Sequence, residues 1–171
     1  MKDERMLNDR LRKAAISCGL CDQWQQDWQY DWTPETMVSR FFRGIDFFFD
    51  KRFISNDDIK NLFDKDFLRR NGIIVDDQYS LLNPKYAAIL GKGTSTIRMN
   101  AYNGGTVYVA DNSQVKIIAS GNAFVMVHVL GNAQIDTEQK DKASIIVLRH
   151  SNGCKVTASG NVRVKDELDW I

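Results

Sequence analysis

The chain is short of several things, and each shortage removes a class of function. Its 171 residues carry 23 Lys plus Arg against 22 Asp plus Glu, a net charge of +1. So even a balance does not point to a polyanion, and nucleic acid is not an expected partner. No stretch reaches the length of apolar residues that crosses a bilayer, so no membrane partner is expected. The opening MKDERMLNDRLRKAA is too charged for the apolar core of a secretory signal. The expected compartment is the cytoplasm, and three cysteines, an odd number, agree with thiols kept reduced there. A phosphate-cradling glycine loop is missing too, because G-K-G-T at Gly91 to Thr94 lacks the spacing of the nucleotide motif. No cofactor is expected.

What is present in quantity is a repeat. From Asn103 to Asn152 a turn signal returns every ten residues: N-G-G, D-N-S, G-N-A, G-N-A, D-K-A and S-N-G. Within each unit apolar residues alternate with others as along a strand. Val115, Ile117 and Ala119 form one inward row, and Ala123, Val125, Val127 and Val129 the next. Ala133, Ile135 and Thr137, then Ala143, Ile145 and Val147, continue the series. After a one-residue slip, Cys154, Val156 and Ala158 face in.

The intervening positions differ between alternate units. Phe124, Met126 and His128, and likewise Ser144, Ile146 and Leu148, are mostly apolar. Gln114, Lys116 and Ile118, and Gln134, Asp136 and Glu138, are mostly polar. The true period is therefore twenty, with one wet flank and one covered flank, which a flat meander gives no reason for. The expectation is an α+β chain in which N-terminal helices pack on a short β-solenoid, a parallel β-helix with two main strands per coil and about four coils. Alternate strands assigned to the two sheets of a sandwich are the other arrangement open to this pattern. Residues 1–80 would be the helical domain and 81–171 the solenoid.

The front of the chain reads as helices. Met6, Leu7, Leu11, Ala14 and Cys18 recur at helical steps across residues 3–18, with Gly19 as a C-terminal stop. Thr33 and Pro34 open a second helix, whose apolar face is Met37, Phe41, Ile45, Phe48 and Phe49. Ser55 caps a third helix that ends at Gly72. This surplus of aromatics and the apolar flank of the repeats have complementary needs, so the helices are expected to cover Phe124, Ile146 and Leu148.

Chemistry-bearing residues are few. Trp24, Trp28 and Trp32 lie four apart, which places them along one side of a helix, as a packing face or as a platform for a ligand ring. Cys18 and Cys21, as C-G-L-C, have the spacing of half a zinc site, but no second paired motif completes it and metal is not expected. His128 belongs at the helix interface. Cys154 and His150 would form a nucleophilic couple only if the thiol, assigned inward, met a histidine placed in a corner. Asp136 and Glu138 share one polar flank as a solvated face or a carboxylate pair. No catalytic set converges.

The G-N-A and D-N-S corners before V-x-V-x-V rows resemble the short β-helical repeats of bacterial GIN-type adhesin domains, over about residues 95–165. W-Q-Q-D-W, F-F-R-G-I-D-F, L-L-N-P-K and V-M-V-H-V-L-G-N-A resemble bacterial proteins that join a helical front to such repeats. That resemblance implies a solenoid and brings no activity or site residues. The function expected is a non-enzymatic protein-interaction or structural scaffold module, self-associating or bound to a protein partner. Its contact surface would be Lys116, Asp136, Glu138, Lys155 and Thr157. The alternative is a carbohydrate-binding or carbohydrate-processing protein, using exposed Trp24, Trp28 or Trp32 with Asp136 and Glu138.

Overall fold

A computed structural model describes residues 4–171. The chain divides into two compact units, one ending at Asp64 and one running from Lys65 to Trp170. The first holds α1 (Glu4–Ser17), α2 (Asp22–Asp27), α3 (Pro34–Arg43), α4 (Ile45–Lys51) and α5 (Asn56–Leu62). In the second, α6 (Lys65–Arg70) leads into β1 (Ile73–Val75), β2 (Leu81–Leu82), β3 (Tyr86–Leu90) and β4 (Thr94–Met99). Then come β5 (Gly104–Val109), β6 (Gln114–Ala119), β7 (Phe124–Val129), β8 (Gln134–Gln139), β9 (Ser144–Arg149), β10 (Lys155–Ser159) and β11 (Val162–Asp166).

Local chemistry explains the helix ends. Gly19, at φ 89°, closes α1 as the N–H of Leu20 returns to the Ala15 carbonyl and that of Gly19 to Ile16. The Thr33 hydroxyl accepts the Thr36 N–H, with Pro34 at the first position of α3. Ser55 caps α5 in the same way, through the N–H of Asp58. The helix expected from Ser55 to Gly72 is two helices, broken at Phe63, whose backbone is extended. The second helix expected from Thr33 is likewise two, α3 and α4, parted at Gly44; of its apolar face Met37, Ile45, Phe48 and Phe49 are buried and Phe41 is half-buried.

The repeat folds as a β-solenoid of about four turns, with about 20 residues per turn. Odd-numbered strands form a six-stranded sheet in the order β1-β3-β5-β7-β9-β11, and even-numbered strands a five-stranded one in the order β10-β8-β6-β4-β2. Every pairing is parallel, and Gln114 opposite Gln134 or Phe124 opposite Ser144 sets the twenty-residue step. Alternate strands do lie in two sheets, but the parallel register makes them successive coils of a solenoid rather than a sandwich. The step lengthens by one at β10, where Lys155 lies opposite Gln134, as the slip in the sequence requires. It shortens at the two ends, with Ile73 opposite Ala88 and Val162 opposite Ile145. The solenoid thus begins at β1, ahead of residue 81.

The inward rows are the core. Val107, Ile117, Val125, Val127, Ala133 and Val147 are among the side chains sealed inside it. Thr137 faces in as well and is fully buried, its hydroxyl donating to the Thr157 carbonyl of the next coil at 3.1 Å. That bond removes the penalty of an unpaired buried hydroxyl. Ala158 departs from expectation: it takes the inward register position opposite Thr137 yet is exposed, because no further coil covers it. Phe124, expected beneath a cover, is 41% exposed.

Six successive corners each take one left-handed residue, supplied every ten positions as Gly91, Ala101, Asp111, Gly121, Gly131 and Asp141, while the corner between β9 and β10 turns without one. The aspartates do further work there. Asp111 accepts the Gly91 N–H at 2.8 Å and Asp141 the Gly121 N–H at 2.9 Å, each joining a corner to the one in the preceding coil. Ala101, at φ 55°, bears the cost a Cβ carries in that region. A Cβ on Gly121 would meet the Ala101 backbone nitrogen at 3.0 Å. Gly121→Ala is therefore expected to lower stability by about 1–2 kcal/mol, whereas Ala101→Gly should raise it by about 0.5–1 kcal/mol. Urea midpoints at constant slope measure both.

Candidate functional site

The outward face of the five-stranded sheet gathers the polar residues into two rows that run along the stacking axis. In the first row Gln78, Thr94, Gln114, Gln134 and Lys155 lie in successive register. In the second, Thr96, Lys116, Asp136 and Thr157 do the same. Neighbouring rungs are about 4.8 Å apart because that is the spacing of hydrogen-bonded strands. A groove of about 380 Å³ runs over these rows, and Tyr79 lines it where the first strand of the sheet begins. Glu138 sits one step further along β8, where Lys140 reaches it at 3.1 Å and Lys116 at 3.9 Å.

Tyr79 is held by a small electrostatic assembly. The Arg69 guanidinium lies 4.9 Å from its ring centre, and that guanidinium is itself fixed by Asp77 through bonds of 2.8 and 3.1 Å. Lys65 reaches the same carboxylate at 2.9 Å. Burial acts to raise the Asp77 carboxyl, but the hydrogen bonds from Arg69, Lys65 and the Gln78 N–H outweigh it and bring it down to about 2. The tyrosine backbone is fixed as well, since its carbonyl accepts the Ser95 hydroxyl at 2.7 Å.

The opposite sheet carries a stack of rings. Tyr108 and His128, opposite each other in register, lie 4.7 Å apart and nearly parallel, and His150 follows His128 at 5.1 Å. Trp170 then closes the stack at 4.4 Å from His150 and 5.0 Å from His128. What lies over His128 is thus the C-terminal segment of its own unit. The tautomers follow from the partners. The Glu167 carbonyl can only accept, so His150 donates to it from Nδ1 at 2.8 Å, and its Nε2 receives the Nδ1–H of His128, also at 2.8 Å. Burial and then the charge of His150 push His128 down to about 4, with Glu167 opposing; burial lowers His150 also.

The residues expected on the contact surface are brought together in part. Lys116, Asp136 and Thr157 line the groove, and Lys155 and Glu138 flank it on the same face. The tryptophans belong to the other unit and do not form a row on one helix, since α2 ends at Asp27. Trp32 is buried at 6% exposure and stacks on Trp28 at 4.8 Å, so it is no exposed platform. Trp28 donates to the Asn8 side chain, and Arg43 and Arg40 lie over Trp24 and Trp32. These rings are half-buried or buried packing. Cys18 ends α1 and Cys21 begins α2, and among the described residues no group of three or more metal-ligating side chains converges. Cys154 is buried against the Ser151 hydroxyl, while His150 is engaged by His128 and Glu167, so the two form no couple.

Sequence reading placed Gln114 and Gln134 on the polar flank but passed over them as site residues, because an amide carries no charge to attract notice. Gln78 and Tyr79 precede the regular repeat and gave no periodic signal. Among the described residues no helix is long and apolar enough to cross a membrane. Comparison with protein-family models, with curated proteins and with solved structures finds no match for this chain.

Two pH dependences follow, in separate windows. Asp77 is depressed in the fold, so its stabilisation is complete above about pH 4 and is lost as the pH falls toward 2. Asp77→Asn should therefore cost about 2 kcal/mol at neutral pH, read from chemical denaturation, with little cost near pH 2. His128 is held neutral, so the unfolded chain binds its proton first and stability falls as the pH drops from about 6.5 to about 4. His128→Phe keeps the stack and removes at most about 3 kcal/mol of that loss, which shows as a flatter stability profile between those pH values.

Proposed function

We propose that the chain is a non-enzymatic interaction module: the solenoid is a rigid scaffold, the groove face of the five-stranded sheet is its contact surface, and the last coil joins a second copy. The observation that carries the assembly is the difference between the two ends. The first strand, β1, is buried throughout, with α6 packed beside it. At the other end β10 and β11 are each hydrogen-bonded to one strand only, as β2 and β1 are at the first, so the difference lies in how the core is covered. In the last coil the inward positions Ala158 and Val164 are exposed, Val164 at 43%. Such an edge offers unpaired backbone groups and an unfinished core, and both are satisfied when two last coils meet with strands antiparallel about a two-fold axis.

A binding role rather than a catalytic one is supported by how the titratable groups are used. The imidazoles are stacked and bonded to each other beneath Trp170, and Glu138 is engaged by two lysines. Asp136 is left without a second carboxylate across the groove. Glycoside hydrolysis needs two such groups on opposite sides of the bond, and these two stand two residues apart on one face of one strand.

Sedimentation velocity over a concentration series tests the assembly. The expected result is a monomer–dimer equilibrium that tightens as salt is added, because Lys155 and Arg163, both exposed, bring like charges together. Ala158→Lys with Val164→Lys should weaken it at least about tenfold while leaving the circular dichroism of the solenoid unchanged. A wild-type chain that remains monomeric throughout the series overturns the assembly.

A further inference from the structure

The groove on the five-stranded sheet has a chemistry narrower than that of a general contact surface, and we infer that it binds a neutral oligosaccharide chain laid along the stacking axis. This rests on the reading of that face as the contact surface and is independent of the assembly through the last coil.

Four observations select the ligand. The groove's volume, about 380 Å³, lies in the range of small-ligand sites, whose scale begins near 300 Å³. Its floor is made of amides and hydroxyls: Gln114, Gln134, Thr94, Thr96 and Thr157. Such groups offer donor and acceptor together, which is what a sugar hydroxyl requires of its partner. The two charges that line the groove itself, Lys116 and Asp136, sit opposite each other on adjacent strands and sum to zero, with Lys155 flanking it. A neutral ligand is therefore preferred over an acidic or a basic one. Finally, Tyr79, 38% exposed, stands at one end. The chain from Lys65 and Arg69 through Asp77 fixes it, and the electron-rich face of an aromatic ring is what packs against the C–H face of a pyranose.

The repeat supplies the polymer specificity. Each coil presents a pair of polar side chains at equivalent register positions one strand spacing on, so successive units of a chain ligand meet a hydrogen-bonding group at each step. A peptide is disfavoured on this face, because the interior strands already spend their backbone groups on both neighbours. A nucleic acid strand would find one cation in the groove, Lys116, where phosphate recognition needs several. The rungs are held by the sheet before any ligand arrives, which reduces the ordering cost of binding.

The test is amide chemical-shift mapping on the full chain, titrated with neutral hexasaccharides (cellohexaose, xylohexaose, maltohexaose and chitohexaose) and with a hyaluronan hexasaccharide as the anionic control. At least one neutral probe is expected to shift the amides of Thr96, Gln114 and Gln134, with an affinity unchanged between low and physiological salt. Gln134→Ala, at an exposed position, and Tyr79→Ala should each weaken it at least about tenfold, whereas Tyr79→Phe should retain it. No shift with any neutral probe overturns the inference. So does binding confined to the anionic probe with a steep salt dependence, or binding indifferent to Gln134→Ala. A chain that dimerises and binds no sugar loses only this inference, and a monomer that binds sugar loses only the assembly.

Discussion

Everything in the solenoid depends on parallel strands stacking in register at a twenty-residue step. Once Gln114 lies opposite Gln134 and Phe124 opposite Ser144, each inward side chain is placed over its equivalent in the neighbouring coil, and the core becomes continuous. The same constraint dictates the corners. A chain that turns every ten residues takes a left-handed residue at six successive corners, and Gly91, Gly121 and Gly131 adopt it without steric cost. Asp111 and Asp141 adopt it while bonding to the corner below. The stacking also satisfies buried polar groups, as when Thr137 donates to the Thr157 carbonyl.

Stacking in register creates two outward faces with opposite fates. On the six-stranded sheet the chain spends its own C-terminal segment, laying Trp170 over Tyr108, His128 and His150. The imidazoles become structural through this, because each ring nitrogen pair has one defined direction of proton donation. On the five-stranded sheet Gln114, Lys116, Gln134 and Asp136 remain exposed. Their positions are fixed by the core beneath them.

The ends of the solenoid differ for a reason of chain order. The strand β1 enters from α6, and the turn that follows β1 brings the Asp77 carboxylate back to Arg69 and Lys65 of that helix, so the first end is built before the repeat begins. At the last end the repeat runs out, with a shorter step from β9 to β11 and with Ala158 and Val164 uncovered. Exposed Lys155 and Arg163 are the charges that natural edge strands use to limit indiscriminate pairing. The self-association proposed for this end must therefore work against a charge penalty that salt relieves.

The sequence by itself determined the period, the inward rows from Val115 to Cys154, the polar and apolar flanks, and the one-residue slip before β10. Those features are local alternations enforced by the pleat, so they survive in one dimension. It also determined the helix starts at Thr33 and Ser55, where a side-chain hydroxyl and the next residues suffice. Tertiary structure alone decided the rest. Tyr79 and Gln78 join the groove only because β2 and its preceding turn stack beneath β4. Trp170 reaches His150 only because the chain folds back after β11, and Trp32 is buried by partners that four-residue spacing does not reveal. Contacts between residues far apart in the chain leave no periodic trace, and the site is made of such contacts.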